Sequence, residues 1–90
     1  MPDIIIGPVI DVIDGDTFDM RVTHIGTNNK EKYNGNERVR IADIDAPELR
    51  TLAGLRSKEQ LFRKLNGEKV RCDVQARDIF GRIVAEVKIL

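Results

Sequence analysis

The stretch VIDVIDGDTFDMRV, residues 9–22, carries the strongest folding signal in the chain. Two segments of high β-propensity, Val9–Ile13 and Phe18–Val22, flank the dipeptide Asp14-Gly15. Asp-Gly between apolar segments favours a tight hairpin, because glycine readily adopts the positive φ that primed turns require. The stretch therefore predicts a β-hairpin whose second strand begins at Asp16.

The next segment along the chain predicts a third strand after a long connection. Residues 24–37 are polar and rich in Gly and Asn, which is typical of a mobile connection. In the third strand, Arg38–Ile44, apolar residues occupy both odd-numbered and even-numbered positions. Because alternate residues of a regular strand point to opposite faces, they cannot all be buried on one face. This pattern predicts a β-bulge near Ala42.

The remaining segments predict one helix and two strands. Leu52–Leu65 has apolar residues near helical spacing, and Asn66-Gly67 provides the stop signal. Residues 70–77 and 83–90 alternate apolar and polar side chains around a turn at 78–82. The apolar stripe predicted for the helix consists of Leu55, Leu61, Phe62 and Leu65.

This order of elements, β-β-β-α-β-β, predicts a mainly β (α+β) fold. Five strands with one helix between strands 3 and 4 match the Greek-key barrel called the OB-fold. The 90 residues suffice for one domain, residues 1–90, and are too few for a two-domain enzyme. OB-fold barrels often bind oligonucleotides, but the fold alone does not assign a function.

Composition narrows the possible chemistry. The single cysteine, Cys72, and the single histidine, His24, exclude an internal disulfide, a thiolate zinc site and a multi-histidine metal site. Basic and acidic residues number 15 each, which argues against a protein held on DNA by bulk charge alone. No apolar segment approaches the ~20 residues of a membrane helix, and no signal-peptide pattern is visible, so the compartment stays open. Chemistry in this chain must rely on carboxylates and arginines, with or without a hard cation.

Two Asp-x-Asp pairs, Asp14/Asp16 and Asp43/Asp45, are candidate cation ligands. Residues i and i+2 of a strand point the same way, so such a pair can offer oxygens to one hard cation. An EF-hand is excluded, because Phe18 occupies its third ligand position. Aspartate before glycine is also a common turn residue, which makes a turn role the stronger interpretation of Asp14.

Three other charged side chains have ordinary structural interpretations when each is taken alone. Glu48 follows a proline shortly before the helix, where a carboxylate is favoured by the helix dipole. Arg40 and Arg82 fall on a strand and a turn, where surface arginines are common.

The motifs taken together are more specific than any single residue. The chain contains DGDT at 14–17, an arginine at 40 followed by DAPE at 45–48, and DIFGR at 78–82. In this order, and on these predicted elements, the motifs resemble the staphylococcal nuclease (thermonuclease-like) family. Gly54 and the helix end LNG at 65–67 also match, and the resemblance covers about residues 9–90.

The resemblance implies a calcium-dependent phosphodiesterase that acts on DNA and RNA. Calcium takes 6–8 oxygen ligands in flexible geometry, and arginine binds phosphate through a planar fork that stays charged. The matching positions are Asp16, Asp45 and the main-chain carbonyl of Ala46 for calcium, Glu48 for the general base, and Arg40 and Arg82 for phosphate. Phe80 is a candidate contact for a base or sugar, or else a turn residue packed on the core.

A further expectation follows from the comparison with this family, and an alternative function stays open. Members generally continue with helices beyond the last strand, whereas this sequence ends at Leu90, so an apolar edge around residues 83–90 predicts self-association. The alternative function is a non-catalytic OB-fold module that binds nucleic acid or protein.

Overall fold

Five strands close into a mixed β-barrel in the computed structural model, which describes residues 2–90. A sixth strand of two residues, β3, lies against β1 outside the barrel. The helix therefore follows the third barrel strand, and the predicted OB-type barrel is confirmed. In chain order the elements are β1 Asp3–Asp14, β2 Thr17–Arg21, β3 His24–Ile25, β4 Asn36–Ile41, α1 Leu52–Leu65, β5 Lys69–Arg77 and β6 Ile83–Ile89.

Strand β1 closes the barrel because its two halves have different partners. Residues 3–8 pair with β5, and residues 9–14 pair with β2. Close to this change of partner lies Gly7, which still pairs with Val70 of β5. A Cβ atom at Gly7 would come within 1.7 Å of the Arg21 carbonyl oxygen, so only glycine fits. The parallel pairing of β4 with β6, which sets Val39 opposite Ile83, completes the ring.

The barrel interior is filled by alternate residues of the strands and by one end of the helix. Cys72 belongs to this core, with its Sγ 3.7 Å from the Met20 sulfur. Burial raises the pKa of the Cys72 thiol to about 12, so the reactive thiolate form is disfavoured. The core consists of Ile5, Val9, Val12, Phe18, Met20, Val39, Leu61, Leu65, Val70, Cys72, Val74, Ile83 and Ala85.

Helix α1 begins and ends where the sequence predicts, but it buries a narrower face. The N-cap residue Thr51 accepts a hydrogen bond from the Gly54 N–H at 3.0 Å. Gly54, Leu61 and Leu65 are buried. Leu55 and Phe62 are 54% and 45% exposed, so the stripe predicted from four apolar residues is wrong at these two positions. No helix in the described part of the chain is both long and apolar enough to cross a membrane.

The third barrel strand ends earlier than predicted. Pairing of β4 stops at Ile41, although the Ala42 N–H still donates to the Ala85 carbonyl at 2.8 Å. The predicted bulge near Ala42 is replaced by a turn, in which Asp43 adopts a φ of 64°. Aspartate is one of the few non-glycine residues that tolerate this left-handed conformation. The turn leads the chain out of β4 toward Asp45.

Strand β1 also begins earlier than predicted, at Asp3. Its first residues form hydrogen bonds with the connection between β3 and β4. The Asn29 side chain exchanges two hydrogen bonds of 2.8 Å with the main chain of Ile4. These contacts tie down a segment that the sequence indicated to be mobile. The Asp3 carboxylate accepts three more bonds, of 2.8, 3.0 and 2.7 Å, from the Lys30 N–H, the Glu31 N–H and the Tyr33 hydroxyl.

Candidate functional site

Four of the predicted site residues meet where the β1–β2 hairpin contacts the loop of residues 42–51. The Arg40 Nη2 donates to Asp45 Oδ1 at 2.5 Å and lies 3.8 Å from Asp16 Oδ2. The Ala46 N–H donates to the same Asp16 oxygen at 3.1 Å. Two carboxylates from distant parts of the sequence thus lie within ion-pair distance of one guanidinium nitrogen.

The hairpin turn sets the position of Asp16. Asp14 Oδ1 accepts the Asp16 N–H at 3.0 Å, which confirms Asp14 as a turn-forming residue. Gly15 packs so closely that a Cβ there would come within 2.1 Å of Ser57 Oγ and 2.8 Å of Ala46 Cβ. The turn is therefore in direct contact with both the loop and the helix.

Strand pairing brings Arg40 beside this turn. Arg40 lies opposite Thr17 in the β2–β4 register, and the neighbouring Ile41 N–H donates to the Asp16 carbonyl at 2.8 Å. The Arg40 Nη2 also donates to the Ile44 carbonyl at 3.2 Å. The guanidinium thereby fixes the part of the loop that carries Asp45.

The surroundings of Asp16 favour its charged form. Burial raises the pKa of this carboxyl, but hydrogen bonds with Asp14, the Ala46 N–H and Thr17, together with the Arg40 charge, outweigh burial and lower it. The pKa of Asp14 is raised, first by partial burial and then by the adjacent Asp16. Asp16 is therefore the better anionic ligand of the two.

Glu48 lies on the same loop, but its carboxylate points to a different partner. Its Oε2 pairs with Arg50 Nε at 2.8 Å, and the Glu48 side chain is 67% exposed. Helix α1 has no acidic residue in its first turn, so Glu48 does not serve as a helix N-terminal carboxylate. Its main chain is fixed instead, since its carbonyl accepts the Thr51 hydroxyl at 2.6 Å.

Arg82 and Phe80 form a second group on the 78–82 turn. Asp78 accepts Arg82 Nε at 2.7 Å, and its other oxygen accepts the Phe80 N–H at 3.0 Å. The Arg82 guanidinium carbon lies 5.4 Å from the centre of the Phe80 ring. Phe80 is 77% exposed, which rules out the alternative that it packs on the core.

The oxygen atoms available at this site suit a hard cation, but they are few. Within residues 2–90, no cluster of three or more His, Cys, Asp or Glu side chains could hold a metal ion. Asp16 and Asp45 offer only carboxylate oxygens, the ligand type that calcium prefers. A cation held here would therefore need main-chain carbonyl and water oxygens to complete its coordination.

No motif in the sequence pointed to Arg38 as a functional residue. This residue is exposed on β4 two positions before Arg40, and it directly precedes Val39, which pairs with Ile83 of β6. The signal that could have revealed it was the spacing R-x-R on a strand, since residues i and i+2 share one face.

Comparison with known proteins supports a nuclease-like fold. No protein-family model matches the chain. It is 36% identical over 81 residues to protein ParB of Escherichia coli and 33% identical over 81 residues to a micrococcal nuclease of Shigella flexneri. The alignments cover 90% of this chain but only 40% and 41% of those relatives, so the chain spans about two fifths of their length. The five-stranded barrel fits the fold that similarity to a micrococcal nuclease suggests.

Proposed function

We propose that this protein is a calcium-dependent nuclease of the staphylococcal nuclease family, which hydrolyses phosphodiester bonds of DNA and RNA. The proposal depends on one observation: the carboxylates of Asp16 and Asp45 both lie within ion-pair distance of the same nitrogen of the Arg40 guanidinium. Similarity to a micrococcal nuclease over 90% of the chain supports the same class of activity.

The proposed ligands of the calcium ion are Asp16, Asp45 and the main-chain carbonyl of Ala46. All are oxygen donors, and they leave coordination positions for water and a phosphate oxygen. When bound, calcium would supply Lewis-acid polarisation of the phosphate. The hydrogen bond from the Ala46 N–H to Asp16 already holds the loop and the hairpin together.

Glu48 is the proposed general base. Its carboxylate is exposed and, within residues 2–90, is paired with Arg50 alone, whose own side chain is 84% exposed. Such a solvated pair contributes about 0–1 kcal/mol, so the Glu48 side chain can turn away from it at little cost. A carboxylate that accepts a proton from the attacking water typically contributes about 10²–10⁴-fold to the rate.

Arg40 and Arg82 are the proposed phosphate ligands. The Asp78 carboxylate orients Arg82 through its Nε, which leaves both terminal nitrogens for a bidentate contact. A guanidinium stays charged throughout the pH range of proteins, so Arg82 stabilises developing negative charge rather than donating a proton.

The test is an assay of plasmid DNA and RNA cleavage with calcium or with a chelator. We expect cleavage only with calcium, and a loss of about 10²–10⁴-fold in Glu48→Gln. Glu59→Gln is the matched control, because Glu59 is also exposed and paired with an arginine, Arg63, at 2.7 Å. Equal rates in the two variants, or cleavage that survives the chelator, would contradict the proposal.

One observation favours the alternative of a non-catalytic OB-fold binding module. The Glu48 carboxylate is bonded to Arg50, and no contact joins it to Asp16 or Asp45 within the described residues. The same preparations, analysed by gel shift in calcium, separate the two functions. Binding of nucleic acid without any cleavage would select the module.

A further inference from the structure

A groove of about 660 Å³ opens on the outer face of β2 and β4, beside the 78–82 turn. It lies apart from the Asp16–Arg40–Asp45 group, none of which lines it. Its lining combines apolar, amide and charged side chains, among them Ile10, Asp19, Asn36, Arg38, Phe80 and Arg82.

Arg38 is held in place at the wall of this groove. Its Nε donates to Asp19 Oδ1 at 2.8 Å and its Nη2 to Asp19 Oδ2 at 3.2 Å. Neither bond uses Nη1, and the side chain is still 50% exposed. A bidentate contact to a carboxylate fixes the plane of the guanidinium and leaves its other edge for a ligand.

The spacing of the arginines suits a chain of phosphates. Arg38 and Arg40 project from the same face of β4, about 7 Å apart along the strand, which is on the scale of one nucleotide step in an extended strand. Arg82 lines the same groove as Arg38, and these two residues directly precede Ile83 and Val39, which pair between β6 and β4. The guanidinium groups thus lie along one face and extend away from the Asp16 site.

The acidic groups at the groove are neutralised by arginines. Asp19 is paired with Arg38, and Glu37 is paired with Arg77 at 3.2 Å. The acidic residues that line the groove are thus both paired, while Asp19, together with Asp11 and Asp14 outside the lining, raises the pKa of the Arg38 guanidinium. The exposed ring of Phe80 adds an apolar surface that a base or sugar can cover.

We propose that this groove is a second nucleotide subsite, in which Arg38 binds a phosphate adjacent to the one at Arg40. Phe80 contacts the base or sugar of that nucleotide. This inference rests on the proposed function, since it assumes a nucleic-acid substrate at the Asp16 site.

The experiment measures binding of a fluorescent single-stranded oligonucleotide in chelator, so that no cleavage intervenes. Arg38→Gln keeps a donor for Asp19 and removes the charge, and we expect about tenfold weaker binding. The dependence of log Kd on log salt concentration should fall by about one unit. Phe80→Ala should weaken binding about fivefold or more and leave that salt dependence unchanged.

Arg71→Gln is the matched control, because Arg71 makes a similar Nε contact to Asp73 at 2.9 Å on β5, outside the groove. Circular dichroism confirms that each variant is folded. Equal affinity and equal salt dependence of Arg38→Gln and Arg71→Gln would overturn the inference, as would a wild-type protein that binds no oligonucleotide. Failure of the proposed nuclease is a separate result: binding in chelator with no cleavage in calcium.

Discussion

Gly54 is the residue on which the position of the Glu48 main chain most depends. A Cβ atom at Gly54 would come within 1.9 Å of the Glu48 carbonyl oxygen and 2.9 Å of the Leu49 Cα. Both are backbone atoms, so no side-chain rotation can relieve the overlap. The first turn of α1 can approach the loop this closely only without a side chain at this position.

We therefore expect Gly54→Ala to displace the loop and to lower the free energy of unfolding by about 1–3 kcal/mol. Thermal or urea denaturation gives this value, and the cleavage assay reports the displacement of Glu48. Gly35→Ala is the matched control, because a Cβ at Gly35 meets nothing within 4 Å. A Gly54→Ala variant as stable as Gly35→Ala would show that the loop adjusts freely.

At this scale the sequence predicted that Asp16 and Asp45 lie together, but it did not predict the partner of Glu48. The motifs DGDT and DAPE singled out Asp16 and Asp45, and both lie within reach of Arg40. The pairing of Glu48 with Arg50 was not predictable, because it depends on a loop whose course is set by the left-handed turn at Asp43. Side-chain spacing in a sequence carries little information about such irregular backbone.

At the scale of elements, the first half of β1 has an unexpected role, since it anchors the connection between β3 and β4. The Asp3 carboxylate is the centre of this contact. Hydrogen bonds from the Lys30 N–H, the Glu31 N–H and Tyr33 lower the pKa of Asp3. The contribution of Asp3 to stability is thus fully present above its unfolded-state pKa, near 3.8, and is lost as the pH falls through its lower folded-state pKa.

We expect the stability of the wild type to fall on acidification below about pH 4, with Asp3→Asn showing a shallower dependence on pH. The reason is that the asparagine cannot lose a charge, and its amide accepts fewer of the same bonds. Thermal denaturation between pH 2 and 7 measures the difference. Asp11→Asn, on an exposed position of the same strand, serves as the control. Parallel curves for Asp3→Asn and the wild type would mean that the anchor contributes nothing.

The first and last residues of helix α1 were predictable from the sequence, whereas the contacts of Asp3 and Asn29 were not. Leu52–Leu65 was predicted from its apolar spacing and from the Asn66-Gly67 stop, and the structure adds the Thr51 cap at its start. The bonds of Asp3 and Asn29 join residues 25–30 positions apart, and no local pattern reports them. The start of β1 was missed for a related reason: the Gly7-Pro8 dipeptide looks like a break, and only pairing with β5 keeps it extended.

At the scale of the whole molecule, the order of elements sufficed to predict the barrel, but closure limits the edge available for association. Residues 83–85 of β6 are paired on both sides, with β4 and β5. From Glu86 to Ile89, β5 is the one paired strand among the described residues, and Ile89 and Leu90 are 50% and 62% exposed. The predicted association edge therefore shortens from residues 83–90 to the last part of the strand.

Self-association through this edge remains a prediction, with a concentration-dependent increase in mass as the expected result. Ile89→Lys should reduce it, because a charged side chain at an exposed edge disfavours strand pairing. Light scattering after size-exclusion chromatography measures the mass. Ile79→Lys, at a position that is 94% exposed on a turn, controls for a general change in surface polarity. A constant monomer mass up to high concentration in the wild type would rule the association out.

The loop of residues 42–51 is attached at two points, and this has a consequence for changes in chain length. Ala46 is bound to Asp16, and the Glu48 carbonyl is packed against Gly54. An insertion or deletion between these attachments would have to be absorbed within a few residues, and it would alter the distance between the Asp45 and Glu48 side chains. Gly35 can accept a side chain, because a Cβ there would meet open space, although its carbonyl accepts the Val22 N–H at 2.8 Å. Homologous chains should therefore keep the same length between Asp45 and Gly54.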